Sequence, residues 1–129
     1  MMQNLLTCKV RLVKPVNKTV VNKYDSSNST LKISSTHGDR FAVADAVFDE
    51  DNNLWALSSW ADKPLHLKST NGSWKSFGCG SSSKNIIGSK IMIDNENGYK
   101  WMIFDLNHLV VYNDNKTPTN ETDDNYRTI

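Results

Sequence analysis

The chain has 129 residues, 38% of them hydrophobic and 22% charged, and 15 basic against 14 acidic side chains leave a formal net charge of +1. That length can bury one ordinary core, while the balanced charge gives no basic field to hold a polyphosphate backbone, so nucleic acid is excluded as a partner. No stretch approaches the roughly 20 apolar residues of a membrane span, and residues 1–10 lack the basic start and long apolar centre of a signal peptide, so no membrane insertion is expected.

Taken in order, the chain alternates short apolar runs with turn formers. Strands are predicted over residues 6–13, 20–24 and 31–35, each with partial period-two alternation. Pro15 and Asn17 separate the first from the second, and the polar run 25–29 separates the second from the third. A turn at Thr36-His37-Gly38-Asp39 precedes an Ala- and Val-rich strand over 41–48, whose small side chains suit a crowded inner strand. The acidic turn 49–53 leads to strands over 54–59 and 65–69, and Asn71-Gly72 is a hairpin signal that connects to a strand over 74–77. The Gly- and Ser-rich stretch 78–83 reads as a flexible crossing. Strands follow over 86–94, 99–104 and 109–112, then a polar, turn-rich tail over 113–125, with 126–129 starting a closing strand. No stretch has helical periodicity, so the predicted class is all-β.

The second half repeats the first. Asp49 and Asp94 are 45 residues apart, Trp55 and Trp101 are 46 apart, and Leu65 and Leu109 are 44 apart. In each copy an apolar strand ends at the Asp, an acidic and Asn-rich turn follows, and a Trp-bearing strand comes next. A period near 45 falls in the range of four-stranded propeller blades, about 40–50 residues. The expected organisation is therefore a partial β-propeller of antiparallel strands. Residues 1–39 hold the outer strands of an incomplete blade, 40–84 form the first complete blade and 85–129 the second. Asp49, Trp55, Asp94 and Trp101 are the structural anchors of the repeat, and both Trp residues are expected in the core between blades.

The pattern from Asp49 to Trp55 and from Asp94 to Trp101 resembles the two-component regulator propeller repeat. It is also similar to the propeller of PorZ-type proteins of the type IX secretion system. The run Val110-Val111-Tyr112-Asn113-Asp114-Asn115-Lys116-Thr117-Pro118 looks like an inter-blade stretch of that group. The resemblance covers roughly residues 41–126 and departs from the usual pattern at Asn53, where a Gly is common, and in lacking Gly-Thr after the Trp strand. It implies an extracytoplasmic, non-catalytic binding or scaffold module of a Bacteroidetes-type bacterium, a fragment of a larger propeller. Its implied partners are the remaining blades and, beyond them, other secretion-complex proteins or a glycan. The alternatives are the glycan-binding sensor propeller of a hybrid two-component system and a small free-standing β-sandwich.

The residues themselves offer no catalytic constellation and no cofactor motif. Asp49-x-Asp51-x-Asn53 spaces oxygen ligands as a calcium loop does, but Leu54 and Trp60 stand where such a loop needs Gly and a bidentate Glu. The expectation is a turn in which the Asp side chain caps backbone amides, with no metal. His37, His66 and His108 lie in separate segments without metal-ligand spacing, and Cys8 and Cys79 lack a CxxC arrangement, so both are expected as free thiols. The candidate ligand face is formed by loops. Trp60 and Asp62 follow one Trp strand, and Asp105, Asn107 and His108 follow the other; a loop Trp beside polar groups either covers the next blade edge, the reading preferred for Trp60, or stacks on a sugar ring.

Overall fold

In the computed structural model the structure describes residues 12–16, 19–32, 34, 42–105 and 107–129. Ten strands are present among them: β1 (Leu12–Val16), β2 (Thr19–Tyr24), β3 (Val43–Phe48), β4 (Leu54–Ser58), β5 (Leu65–Lys68), β6 (Trp74–Phe77), β7 (Gly88–Asp94), β8 (Tyr99–Phe104), β9 (His108–Asn113) and β10 (Asn125–Thr128). β1 and β2 form a two-stranded sheet. β3-β4-β5-β6 and β7-β8-β9-β10 form two four-stranded antiparallel meanders. The fold is thus all-β, with its two large sheets stacked face to face as consecutive propeller blades are. The residues of the predicted first strand before Leu12, the turn at 36–39, Phe41 and Cys8 lie outside the described residues.

The stacking follows from alternation. Side chains two apart on a strand share a face, so register decides which rows meet. In the first sheet, Val47, Trp55, Leu67 and Lys75 lie in one cross-strand row and Asp45, Leu57, Leu65 and Phe77 in the next. In the second, Ile91, Met102 and Val110 lie in one row and Ile93, Lys100 and Tyr112 in another. The apolar members of these rows close into the main core, with Trp55, Leu57, Leu65, Phe77, Met102, Phe104 and Val110 all essentially buried. Side chains of this size contribute roughly 1.5–3 kcal/mol each on burial. The Phe77 ring lies 5.7 Å from Trp55 and 5.6 Å from Tyr112, bridging the sheets with aromatic contacts. The other face of the first sheet carries a smaller cluster, Leu31, Val43 and Ala56, flanked by Tyr24, Leu54 and Trp74.

Polar clasps fix the two sheets to one another. The Asp45 carboxylate accepts from the Ile91 backbone N–H (3.1 Å), an outward-facing donor of edge strand β7. The Ser59 hydroxyl accepts from Gly88 N–H (2.9 Å) and donates to Gly88 C=O (3.2 Å). A Cβ on Gly88 would stand 3.1 Å from Leu57 Cγ and 3.3 Å from the Ser58 carbonyl, so the approach of β7 to β4 favours glycine.

Three expectations are corrected. Pro15 lies inside β1 rather than ending it; the pairing with β2 shifts register between Lys14 and Pro15, and a two-stranded edge tolerates the missing donor. The crossing 78–83 is pinned rather than flexible. Cys79 and Ser83 are fully buried, Ser81–Ser83 form a 3-10 turn, and the Ser83 hydroxyl donates to Gly80 C=O at 2.9 Å. Gly80, at φ 90°, lies under the Tyr126 ring. Trp101 is only half-buried while its counterpart Trp55 is 1% exposed. Trp55 faces the second sheet and is covered by it. Trp101 stands in a row with Met92 and Val111 on the far face of the second sheet, outside both buried clusters.

Candidate functional site

Two groups of residues carry the polar chemistry, one at each end of the sheets. At the turn end, Asp49 and Asp94 act as hubs. Asp49 Oδ1 accepts from the amides of Asp51 and Asn53, both at 2.9 Å. Its Oδ2 accepts from Asn53 Nδ2 at 3.1 Å and from the Trp55 indole N–H at 2.9 Å. Partial burial alone would raise this carboxyl. The bonds from Trp55, Asn53 and the turn amides outweigh that and hold it below the usual carboxylate value. Asp94 repeats the arrangement, accepting from the Glu96 and Asn97 amides and from Asn97 Nδ2 (2.8 Å), which lowers its carboxyl too. Asn52 at φ 62° and Gly98 at φ 78° take the left-handed positions that close the two turns, Asn being one of the few side chains that enters this region readily. Both Asp49 oxygens are thus engaged within their own turn, and among the described residues no group of three or more His, Cys, Asp or Glu is arranged to hold a metal.

Beside these turns lies a buried ion pair that no motif or spacing marks. Lys100 Nζ sits 2.9 Å from Asp114 Oδ1, with side-chain exposures of 5% and 2%. The same ammonium stands 4.1 Å from the centroid of the Trp55 ring, so a cation of the second sheet is seated on an aromatic face of the first. Asp114 also accepts from the Lys116 amide (3.1 Å), which ties the segment after β9 back to the core. The polar tail is therefore organised locally, and the Tyr112 hydroxyl donates to Asp124.

At the opposite end, the loops after β4 and β8 flank residues 85–87. Trp60 N–H donates to Ile86 C=O and Asp105 N–H to Ile87 C=O, both at 2.7 Å. Trp60 (φ 53°) and Asp105 (φ 49°) both take left-handed backbone there. A recess of about 340 Å³ opens beside the first loop, lined by Trp60, Asp62, Lys63, Lys32, Asn85 and His66 among others. Asp105, Asn107 and His108 are not part of its lining, so of the five residues singled out in the loops the recess gathers Trp60 and Asp62. Asp62 forms an exposed ion pair with Lys84 at 2.7 Å, which lowers its carboxyl. His108 is half-buried and its Nδ1 has no hydrogen-bond partner.

His66, which sequence reasoning left unassigned, forms the inner wall. Its Nδ1 is 2.8 Å from Thr30 Oγ1 and its Nε2 is 2.9 Å from Ser58 Oγ. Burial, aided by the Lys32 charge, pushes its pKa down to about 4, so at neutral pH the ring is neutral and joins two hydroxyls. Ser58 and His66 are 8% and 2% exposed, which makes this a buried structural relay rather than an accessible nucleophile and base. The Cys79 thiol is pushed up to about 12 by burial and by Asp124, far from a reactive thiolate. Among the described residues, the recess at this end presents the Trp60 indole, mixed charges and the Asn85 amide.

No family model matches the chain, and no curated protein matches it. Among solved structures, the chain is similar to PorZ, an essential bacterial surface component of the type-IX secretion system of human oral-microbiomic Porphyromonas gingivalis. The TM-score is 0.73 at 19% sequence identity, and the match covers 86% of this chain and 16% of that one. This chain therefore spans about one sixth of the length of its structural neighbour. At that identity the likeness concerns the fold, and the chain has a PorZ-like all-β fold.

Proposed function

We propose that the chain is a non-catalytic binding and scaffold module, part of a larger propeller of the two-component regulator type in a bacterial surface protein associated with type IX secretion. The observation that carries this reading is the pair of stacked four-stranded sheets, which matches PorZ over 86% of the chain. Its support at the residue level is that the polar groups are spent on holding turns and sheets together. Asp49 and Asp94 cap their turns, Lys100 and Asp114 lock the interface, and His66 joins two hydroxyls. In this reading the module sits outside the cytoplasm, with no catalytic role and no cofactor. The test is deletion of the gene in its own bacterium, with protease shaving of intact cells carrying a tagged wild-type copy. Protection from protease together with normal release of secreted cargo in the deletion strain would contradict the proposal; surface cleavage and loss of cargo release are the expected results.

A second reading, a glycan-sensing propeller, is favoured by one observation, the recess containing Trp60, Asp62, Lys63 and Asn85. An indole with amide and carboxylate groups nearby suits an uncharged polyhydroxylated ring. Titration with a panel of oligosaccharides decides it: saturable binding that Trp60→Ala abolishes supports this reading, and no binding at millimolar concentration removes it.

A further inference from the structure

Two Asn-Gly pairs close turns in this chain, Asn71-Gly72 between β5 and β6 and Asn97-Gly98 between β7 and β8. An asparagine before glycine can lose its side-chain amide without an enzyme, because a glycine, having no Cβ, lets its backbone nitrogen reach the asparagine Cγ. The structure sets the two pairs apart. Asn71 curls forward over its glycine: its Oδ1 accepts from the Ser73 amide at 2.9 Å and from the Ser73 hydroxyl at 2.7 Å. Asn97 is turned backward, with its Nδ2 donating to Asp94 Oδ2 at 2.8 Å. Residues 70–73 are exposed, and a Cβ on Gly72 would meet no heavy atom within 4 Å. Gly98 is half-buried under the Lys116 side chain, whose Cγ would stand 3.2 Å from such a Cβ. The Gly98 amide is held by the Asp94 carbonyl at 2.6 Å, against 2.9 Å between the Gly72 amide and the Ser69 carbonyl.

We propose that Asn71 is a self-modification site, converting to aspartate or isoaspartate through a cyclic imide, and that the fold protects Asn97 from the same reaction. The Gly72 nitrogen gives its proton to hydroxide or water and attacks Asn71 Cγ. The N–Cγ bond forms, the Cγ–Nδ2 bond breaks, and the side-chain nitrogen leaves as ammonia. Water then opens the five-membered ring at either carbonyl, so the net change is a water taken up and an ammonia released. The bond between Oδ1 and the Ser73 amide closes a turn that holds Cγ beside the Gly72 nitrogen. Negative charge developing on Oδ1 during attack falls on an atom that already accepts two hydrogen bonds. At Asn97 the Asp94 carboxylate holds the leaving nitrogen and turns the carboxamide away from Gly98. Asn113 and Asn120 also curl forward, onto the amides of Asn115 and Thr122, but Asp114 and Glu121 stand where the attacking glycine is needed. The two products differ in consequence. Aspartate at position 71 keeps the oxygen that Ser73 bonds and adds a charge near the acidic turn 49–53, to which the Thr70 amide is tied through Asn53 Oδ1 at 3.2 Å. Isoaspartate lengthens the backbone within a loop fixed by the Gly72–Ser69 and Ser69–Ser73 bonds, and so loosens the tip of β5 and β6. None of this depends on whether the module serves secretion.

The test incubates the full chain in mildly alkaline buffer, with and without urea, and follows the mass gain of deamidation at Asn71 and Asn97 in peptides from timed aliquots. In the folded chain Asn71 is expected to convert about tenfold or more faster than Asn97, and in urea the two proceed at similar rates. Ser73→Ala, a change at an exposed position that removes one of the two donors, is expected to slow Asn71 severalfold. Asp94→Ala, which frees the Asn97 side chain, is expected to speed Asn97 severalfold and leave Asn71 unchanged. Equal rates at the two sites in the folded chain, or a faster Asn97, overturn the inference. So does an Asn71 that reacts only in urea, which would show that the hairpin tip protects it. Unchanged rates in both variants overturn the role given to the side-chain bonds. Asn71→Asp, which reproduces the aspartate product, is expected to leave the melting temperature within about two degrees; a larger loss would contradict the retained bonds to Ser73.

Discussion

At the residue scale, equivalence in the repeat does not mean equal energetic weight. Trp55→Ala is expected to cost about 3–5 kcal/mol in urea unfolding, since it opens a cavity under Leu67 and Phe77 and removes the seat of the Lys100 ammonium. Trp101→Ala is expected to cost about 1 kcal/mol or less, because the ring is already half in solvent. Equal losses would contradict the assignment of the two faces. Lys100→Met leaves Asp114 buried without its partner and should cost about 3–5 kcal/mol, more than an exposed pair such as Lys84 with Asp62 ever yields. His66 gives a pH dependence of defined sign. Its folded pKa, about 4, lies below the ordinary 6.5, so between those values the unfolded chain binds a proton that the folded chain refuses. Stability should therefore fall as pH drops from 6.5 to 4, by on the order of 3 kcal/mol, and level off below. His66→Gln should flatten that slope; a parent protein equally stable at both ends of the window would count against the buried relay. The sequence made Asp49 and Trp55 legible because a turn carboxylate and a Trp recurred together. It concealed His66 and Lys100, whose environments are made by Thr30, Ser58 and Asp114, all distant or unremarkable in the chain.

At the element scale, the acidic turns act as clamps of unequal strength. The Asp49 turn includes the bond to the Trp55 indole, and the Asp94 turn has no such bond. Asp49→Ala should cost about 1–2 kcal/mol after allowance for solvent screening, and Asp94→Ala less, with differential hydrogen exchange at the amides of Asn53 and Asn97 as the readout. Strand positions were read well where alternation, Asn-Gly or a Gly-bearing turn bounded them; β6 and β8 match the expected spans. The crossing at 78–83 was misread because Gly and Ser signal flexibility by composition, whereas the burial of Cys79 and Ser83 is a tertiary effect. Pro15 was misread for a related reason, since a register shift in an edge ladder leaves no local mark.

At the scale of the whole molecule, the repeat period carried the architecture, and the grouping of the loop residues was only partly legible. Offsets of 44 to 46 residues place matching rows on successive sheets, and alternation then dictates that one face is shared and the next stands open. The loops at the far end do lie on one side of the stack, each bonded to residues 85–87, but the recess forms beside Trp60 alone because His66, Thr30 and Lys32 wall it from other segments. Exposed apolar rows of the kind found on the second sheet drive association. The chain by itself should sediment as a concentration-dependent mixture that Met92→Glu with Ile103→Lys shifts toward monomer; an unchanged distribution would mean that another surface associates.

The stacking of one blade on the next is tested most directly by the nuclear Overhauser effect between the Trp55 indole and the Lys100 ε-methylene, two groups 45 residues apart in the chain with the ammonium 4.1 Å from the ring centroid. The stacked arrangement predicts a strong cross-peak and upfield-shifted Lys100 methylenes. Ordinary Lys100 shifts and no cross-peak to Trp55, in a chain that is otherwise folded, would contradict it.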